Sequence, residues 1–174
     1  MAERDIIVNG GSDNARTLAS GDTPALITRA LFDDTADVAS SGTPTVLATN
    51  SIAANTFISD GGTIEAQYFG LMVASTNERT LRLKFNSSVI FEQLYDTGSY
   101  SKWRIDCTII RESSSVVKCY VTAFVVGLNP ELTYTRLTSL DLTSNAYNLE
   151  LSADQTSNSD VTFKFSKATY TPGI

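Results

Sequence analysis

The stretch "WRIDCTIIRESSSVVKCYVTAFVV", residues 103–126, constrains the fold more than any other part of the chain. Trp103, Ile105, Cys107 and Ile109 alternate with Arg104, Asp106 and Thr108, and a second alternating run follows three consecutive serines. Strict period-two alternation over this length belongs to a half-buried strand and is incompatible with an amphipathic helix. A turn centred on Ser113 would set Ile109 opposite Val117, Cys107 opposite Cys119 and Ile105 opposite Val121. Every such pair joins two apolar residues, so a hairpin is predicted in that register.

The same grammar recurs on both sides. In "TLRLKFNSSVIFEQL", Leu81, Leu83 and Phe85 share a face; a three-residue loop, Asn86 to Ser88, pairs Phe85 with Val89 and Leu83 with Phe91. In "GTIEAQYFGLMVAS", Ile64, Ala66 and Tyr68 share a face. The apolar phase then slips to Phe69, Leu71 and Val73, which predicts a bulge at Gly70. "ALITRALFD", "TPTVLATNSIA", "LTYTRLTSLDL", "AYNLELSA" and "DVTFKFSKATY" are further candidates. In the last, Val161, Phe163 and Phe165 alternate with Thr162, Lys164 and Ser166. Eight to ten strands with no amphipathic helix predict an all-β protein, an antiparallel β-sandwich of jelly-roll type over residues 26–174.

Composition agrees. Thr and Ser make up roughly a quarter of the 174 residues, the one suited to strands and the other to turns. The net charge of −6 argues against a nucleic-acid phosphate backbone as partner. No apolar run reaches the length of a membrane span, and "MAERDIIV" places charges where a signal peptide needs its apolar core. Synthesis in a cytoplasm is therefore expected, with neither membrane nor nucleic acid as partner.

The chain contains no histidine. Ser-His-Asp and Cys-His catalysis and His-containing metal sites are thereby excluded, and no phosphate loop or dinucleotide fingerprint is present. A paired-carboxylate glycosidase is the one enzyme class left open, and it ranks last. The reading is of no enzyme, no cofactor and no metal. Asp33, Asp34 and Asp37 are expected in a solvated turn after the first strand, with a Ca²⁺ site the lesser alternative. Glu65 and Asp106 are expected to face solvent. Cys107 and Cys119 form either a strained disulfide or two small buried thiols, and a cytoplasmic origin favours the thiols. Asn86 begins a glycosylation acceptor pattern but suits a hairpin turn better. Of the aromatic residues weighed for stacking on a sugar, Trp103 falls on the apolar face. Tyr95 and Tyr100, in the polar segment "LYDTGSYSK", are the candidates for a surface ligand contact.

The order of these patterns over residues 30–125 resembles the small β-sandwich structural proteins of bacteriophage virions. The likeness lies in "LFDDTADVASSGTPTVLATNSIAANTFISDGGTIEAQYFGLMVAS", "RTLRLKFNSSVIFE" and "WRIDCTIIRESSSVVKCYV". It implies a capsid-decorating or head-fibre protein, homotrimeric and located in the virion, with a capsid or other virion protein as partner. The alternative it implies is a tail-fibre or receptor-binding module that recognises host-surface glycans. The segment 1–25 is rich in Gly, Asn, Asp and Ser, and resembles the polar N-terminal attachment arms of such proteins. Ile6, Ile7 and Val8, with Arg16 and Leu18, are its candidate anchors to the shell, because a polar arm can be ordered by a partner.

Overall fold

The computed structural model describes residues 28–41, 44–73, 77–96, 101–155 and 158–173. Ten strands run through them: β1 (Arg29–Ser41), β2 (Thr45–Ile52), β3 (Thr63–Met72), β4 (Arg79–Phe85), β5 (Ser88–Tyr95), β6 (Lys102–Ser113), β7 (Val116–Val125), β8 (Glu131–Leu137), β9 (Tyr147–Gln155) and β10 (Asn158–Thr171). There is no helix among the described residues. A six-stranded sheet has the order β1-β10-β3-β6-β7-β8, and a four-stranded sheet has the order β2-β9-β4-β5. All the pairings are antiparallel. The nesting of β1 against β10 and β2 against β9, outside the β4–β5 hairpin, gives the sandwich its jelly-roll-like character.

The core follows from the alternation. Trp103, Ile105, Cys107 and Ile109 of β6 point inward with Val117, Cys119, Val121, Ala123 and Val125 of β7. They meet Leu81, Leu83 and Phe85 of β4 and Tyr147, Leu149 and Leu151 of β9 from the opposite sheet. The rings of Phe85 and Tyr147 stack with centroids 5.1 Å apart.

Register departs from expectation at several places. The β6–β7 turn lies at Ser114–Ser115, and Ile109 pairs with Cys119, Cys107 with Val121 and Ile105 with Ala123. The shift is two residues, which preserves every face. Cys107 and Cys119 become diagonal neighbours, at a separation of about 7–8 Å that a disulfide spans poorly. Both are buried free thiols. In the β4–β5 hairpin Leu83 pairs with Phe91 as expected, but Phe85 pairs with Ser88 and Lys84 with Val89. Ile90 is the extra residue. It is buried, while Val89 is exposed. Asn86 adopts φ 55° at this turn, and its Oδ1 accepts the Asn148 N–H at 3.0 Å. That conformation is one Asn tolerates well.

The bulge expected at Gly70 sits on the neighbouring strand instead. β3 keeps one phase from Ile64 through Gly70 to Met72, and Leu71 and Val73 are exposed. Opposite it, Phe163 pairs with Gly70 and Phe165 with Phe69, so Lys164 of β10 is the inserted residue. Past that insertion Ser166, Ala168 and Tyr170 point inward and Phe165 does not. Gly70 is small because the indole of its cross-strand partner Trp103 lies over it. Asp33, Asp34 and Asp37 are not in a turn. They lie within β1, whose polar alternation is that of an edge strand, and Lys164 pairs with Asp37.

The long connection between β2 and β3 is pinned by Arg111, which is 5% exposed. Its Nε donates to Asp60 Oδ1 at 2.9 Å and its Nη1 to the Phe57 carbonyl at 2.5 Å. The chain end docks on the same loop, with the Gly173 N–H donating to Ser59 Oγ at 2.9 Å.

Candidate functional site

The two outer faces of the sandwich differ in chemistry. On the four-stranded sheet, Arg82 pairs with Glu92, and Lys84 Nζ lies 3.0 Å from Glu150 Oε1. Such cross-strand pairs make an ordinary solvated face. The six-stranded sheet presents aromatic side chains between its charges, and it is the candidate contact surface.

Its geometry follows from the ladder. One row across the strands is Thr169, Glu65, Thr108, Tyr120 and Tyr134. The next is Lys167, Gln67, Asp106, Thr122 and Leu132, and the third is Phe165, Phe69, Arg104 and Phe124. Phe69 and Phe165 have centroids 5.7 Å apart, and Tyr120 and Tyr134 are 5.0 Å apart. The Arg104 guanidinium lies 4.4 Å from the Phe124 ring centroid while its Nη2 is 2.9 Å from Asp106 Oδ2. Asp106 Oδ1 accepts from Gln67 Nε2 at 3.1 Å. Leu132 is 73% exposed, Tyr134 52% and Tyr120 40%. That is an unusual concentration of wet apolar surface on the outward phase of adjacent strands.

Between the phenylalanine pair and the tyrosine pair lies a shallow depression of about 390 Å³. Glu65, Gln67, Asp106, Thr108, Lys167 and Thr169 line it, over the backbone of Ala66, Cys107 and Ala168. Asp106 is held by Gln67 and Arg104, which leaves Glu65, Lys167 and the two threonines to meet a ligand. At the far end of the sheet, Arg136 beside Glu112 holds that carboxyl below its usual range, with Lys118 assisting.

Of the residues singled out in the sequence, Trp103 is core and Glu65 is exposed. Asp106 is half-buried and lines the depression. Tyr95 is corrected: it is 3% exposed, the inward residue at the end of β5, and so is withdrawn from any surface contact. Tyr100 lies outside the described residues, as do Ile6, Ile7, Val8, Arg16 and Leu18. The two thiols are buried and held in the protonated form, which disfavours nucleophilic attack. Burial pushes Cys119 up to about 12 and also holds Cys107 well above the usual thiol value, with Cys119 as a second cause. Among the described residues, no group of three or more Cys, Asp or Glu is placed to hold a metal ion.

Tyr120, Tyr134, Phe124 and Phe165 were missed as surface residues. For Tyr120 and Phe124 a signal existed: each stands in the polar phase of the β7 run, where an aromatic residue must lie outside the core, whereas Tyr134 shares its phase with Leu132 against Thr133 and Thr135 and so reads as inward. Phe165 carried none, since the bulge at Lys164 changes its phase.

Over the described residues the fold thus defines a ten-stranded antiparallel β-sandwich of jelly-roll-like connectivity. No protein-family model matches the chain, and no curated protein sequence does. A solved structure, peanut lectin with a 9mer peptide, is similar to it with 7% identity and a TM-score of 0.38, over 91% of this chain and 95% of that one.

Proposed function

We propose that this chain is a non-enzymatic structural protein of a tailed-bacteriophage virion, one that decorates or stabilises the capsid. It acts by binding, and residues 1–25 are its attachment arm. The observation that carries this reading is the jelly-roll-like sandwich of a six-stranded and a four-stranded antiparallel sheet. The core is drawn from Leu31 to Tyr170, and β1 is paired with β10 from Arg29 onward. On this reading Ile6, Ile7 and Val8, with Arg16 and Leu18, are the arm's anchors to a partner, since a polar arm can be ordered by the surface it binds. The resemblance over residues 30–125 supports the same assignment.

Deletion of Met1 to Thr23 tests it. The truncated chain is expected to stay folded and to be lost from purified particles. Truncated protein that still decorates particles at full occupancy would move attachment to the sandwich.

The depression on the six-stranded sheet favours a second reading, a tail-fibre or receptor-binding module for host glycans. Carboxylate, amide, ammonium and hydroxyl groups beside paired phenyl rings match the mixed polar and apolar faces of a pyranose. Imaging of whole particles separates the two: shell-wide copies mean decoration, tail-only copies mean adhesion.

A further inference from the structure

Among the described residues the two open sheets have four edge strands, β1 and β8 of one sheet and β2 and β5 of the other. Exposed edges invite pairing with another chain, and proteins blunt them with bulges, prolines and inward charges. Three of these four carry an extra residue. Leu31 is inserted in β1, Leu47 in β2 and Ile90 in β5, each breaking the regular spacing of the edge. β8 is different. Its seven residues pair with β7 without interruption, from Val117 opposite Leu137 to Ala123 opposite Glu131. Its sequence "ELTYTRL" has no Pro, no Gly and no Lys, and its charges stand only toward the two ends. Thr and Tyr, both good strand formers, fill the centre.

We propose that β8 is a self-pairing edge, joining antiparallel to β8 of a second copy about a two-fold axis at Tyr134. The occupant is argued from the strand itself. Residues 133–135 read Thr-Tyr-Thr, the same in both directions. Antiparallel pairing centred on Tyr134 sets Thr133 against Thr135 twice, Leu132 against Arg136 twice and Tyr134 against itself. Every pair keeps its face. Leu132, Tyr134 and Arg136 are the outward set, while Thr133 and Thr135 face inward, where Thr135 Oγ1 donates to the Ile90 carbonyl at 3.4 Å. No like charges meet. The Tyr120–Tyr134 contact of each copy would run into that of the other, making a row of four tyrosine rings across the junction. Such an isologous contact closes after two copies. The six-stranded sheets merge into one of twelve, and the assembly is a dimer in place of the trimer implied by the virion-protein resemblance.

Sedimentation velocity on the full chain at micromolar concentration is expected to show a dimer. Tyr134→Lys places two ammonium groups at the axis and is expected to give a monomer with unchanged circular dichroism. A short bismaleimide crosslinker is expected to join copies of the Tyr134→Cys variant, and to join those of Leu132→Cys poorly, because Leu132 faces Arg136 and not itself. The native thiols are buried and do not compete. A wild-type monomer or trimer overturns the proposal. So does a dimer that survives Tyr134→Lys or crosslinks as well through Leu132→Cys. Each of these outcomes leaves the particle-binding assay on the truncated arm untouched.

Discussion

Gly70→Ala is the sharpest test of how the six-stranded sheet is packed. A Cβ on Gly70 would come within 3.0 Å of both the Thr162 carbonyl oxygen and the Trp103 Cζ2. Neither neighbour can step aside cheaply. Thr162 belongs to the β3–β10 ladder next to the bulge at Lys164, and Trp103 is 2% exposed, with its Nε1 donating to the Leu71 carbonyl at 3.1 Å. Overpacking of this kind costs about 1–3 kcal/mol. Displacing the indole adds the loss of its hydrogen bond, about 1 kcal/mol. The expected sum is about 2–4 kcal/mol. With a urea m-value of about 2 kcal/mol/M, the unfolding midpoint falls by roughly 1–2 M. Trp103 is the sole tryptophan, so its fluorescence follows unfolding and also shifts to longer wavelength in the folded variant if the ring is pushed toward water. Adding Trp103→Phe should recover part of the loss, read by circular dichroism, because one of the two clashes is relieved. A midpoint and emission spectrum unchanged by Gly70→Ala would refute the packing argument.

Four further outcomes are expected. Cys107 and Cys119 should be silent to a thiol-specific reagent in the native protein and both should react once it is unfolded; replacing both with Ser costs about 1–3 kcal/mol per site and replacing both with Ala less. Arg111→Met should cost about 1–3 kcal/mol in urea unfolding, since it leaves the buried Phe57 carbonyl unpaired. Asp60→Asn should cost well under about 1 kcal/mol, because Asp60 is largely exposed. Asp141 accepts the Ser144 and Thr143 N–H groups and the Thr143 hydroxyl, which together lower its pKa. Its contribution is therefore complete above the unfolded value, near 3.9, and is lost as pH falls through the lower folded value. Protection of the Leu140 and Leu142 amides, which donate to Ser115 and Ser114, should fall in that acid window once exchange is referred to the intrinsic rate at each pH, and Asp141→Asn should abolish the dependence.

Much of this architecture was legible in the sequence, for a definite reason. Alternation reports which face a residue takes, and the faces of Ile105, Cys107, Ile109, Leu81, Leu83 and Phe85 were read correctly. Alternation does not report which residue stands opposite, because a slip of two leaves every face in place. That degeneracy moved the β6–β7 turn from Ser113 to Ser114–Ser115. Bulges fail differently. An inserted residue reverses the phase of all that follow, and nothing local marks Lys164 or Ile90 as inserted. Phe165 and Val89 were therefore given the wrong face. The outer surface was hardest to read: Arg104, Phe124, Tyr120 and Tyr134 come together only through the lateral order of β6, β7 and β8.

The first and last strands lie side by side, and the hydroxyls of Thr28 and Thr171 are 3.1 Å apart. Joining them closes a loop of nearly the whole described chain, so the β1–β10 ladder gains nothing until the strands between are in place, and it belongs late in folding. It is also mechanically exposed. Tension applied through those two adjacent ends does not shear the ladder along its length; it opens the strands like a zip, loading the Arg29–Tyr170 rung first and each later rung in turn. A protein tethered at one of these ends and pulled at the other would yield there, at modest force, while the β6–β7 hairpin stayed intact.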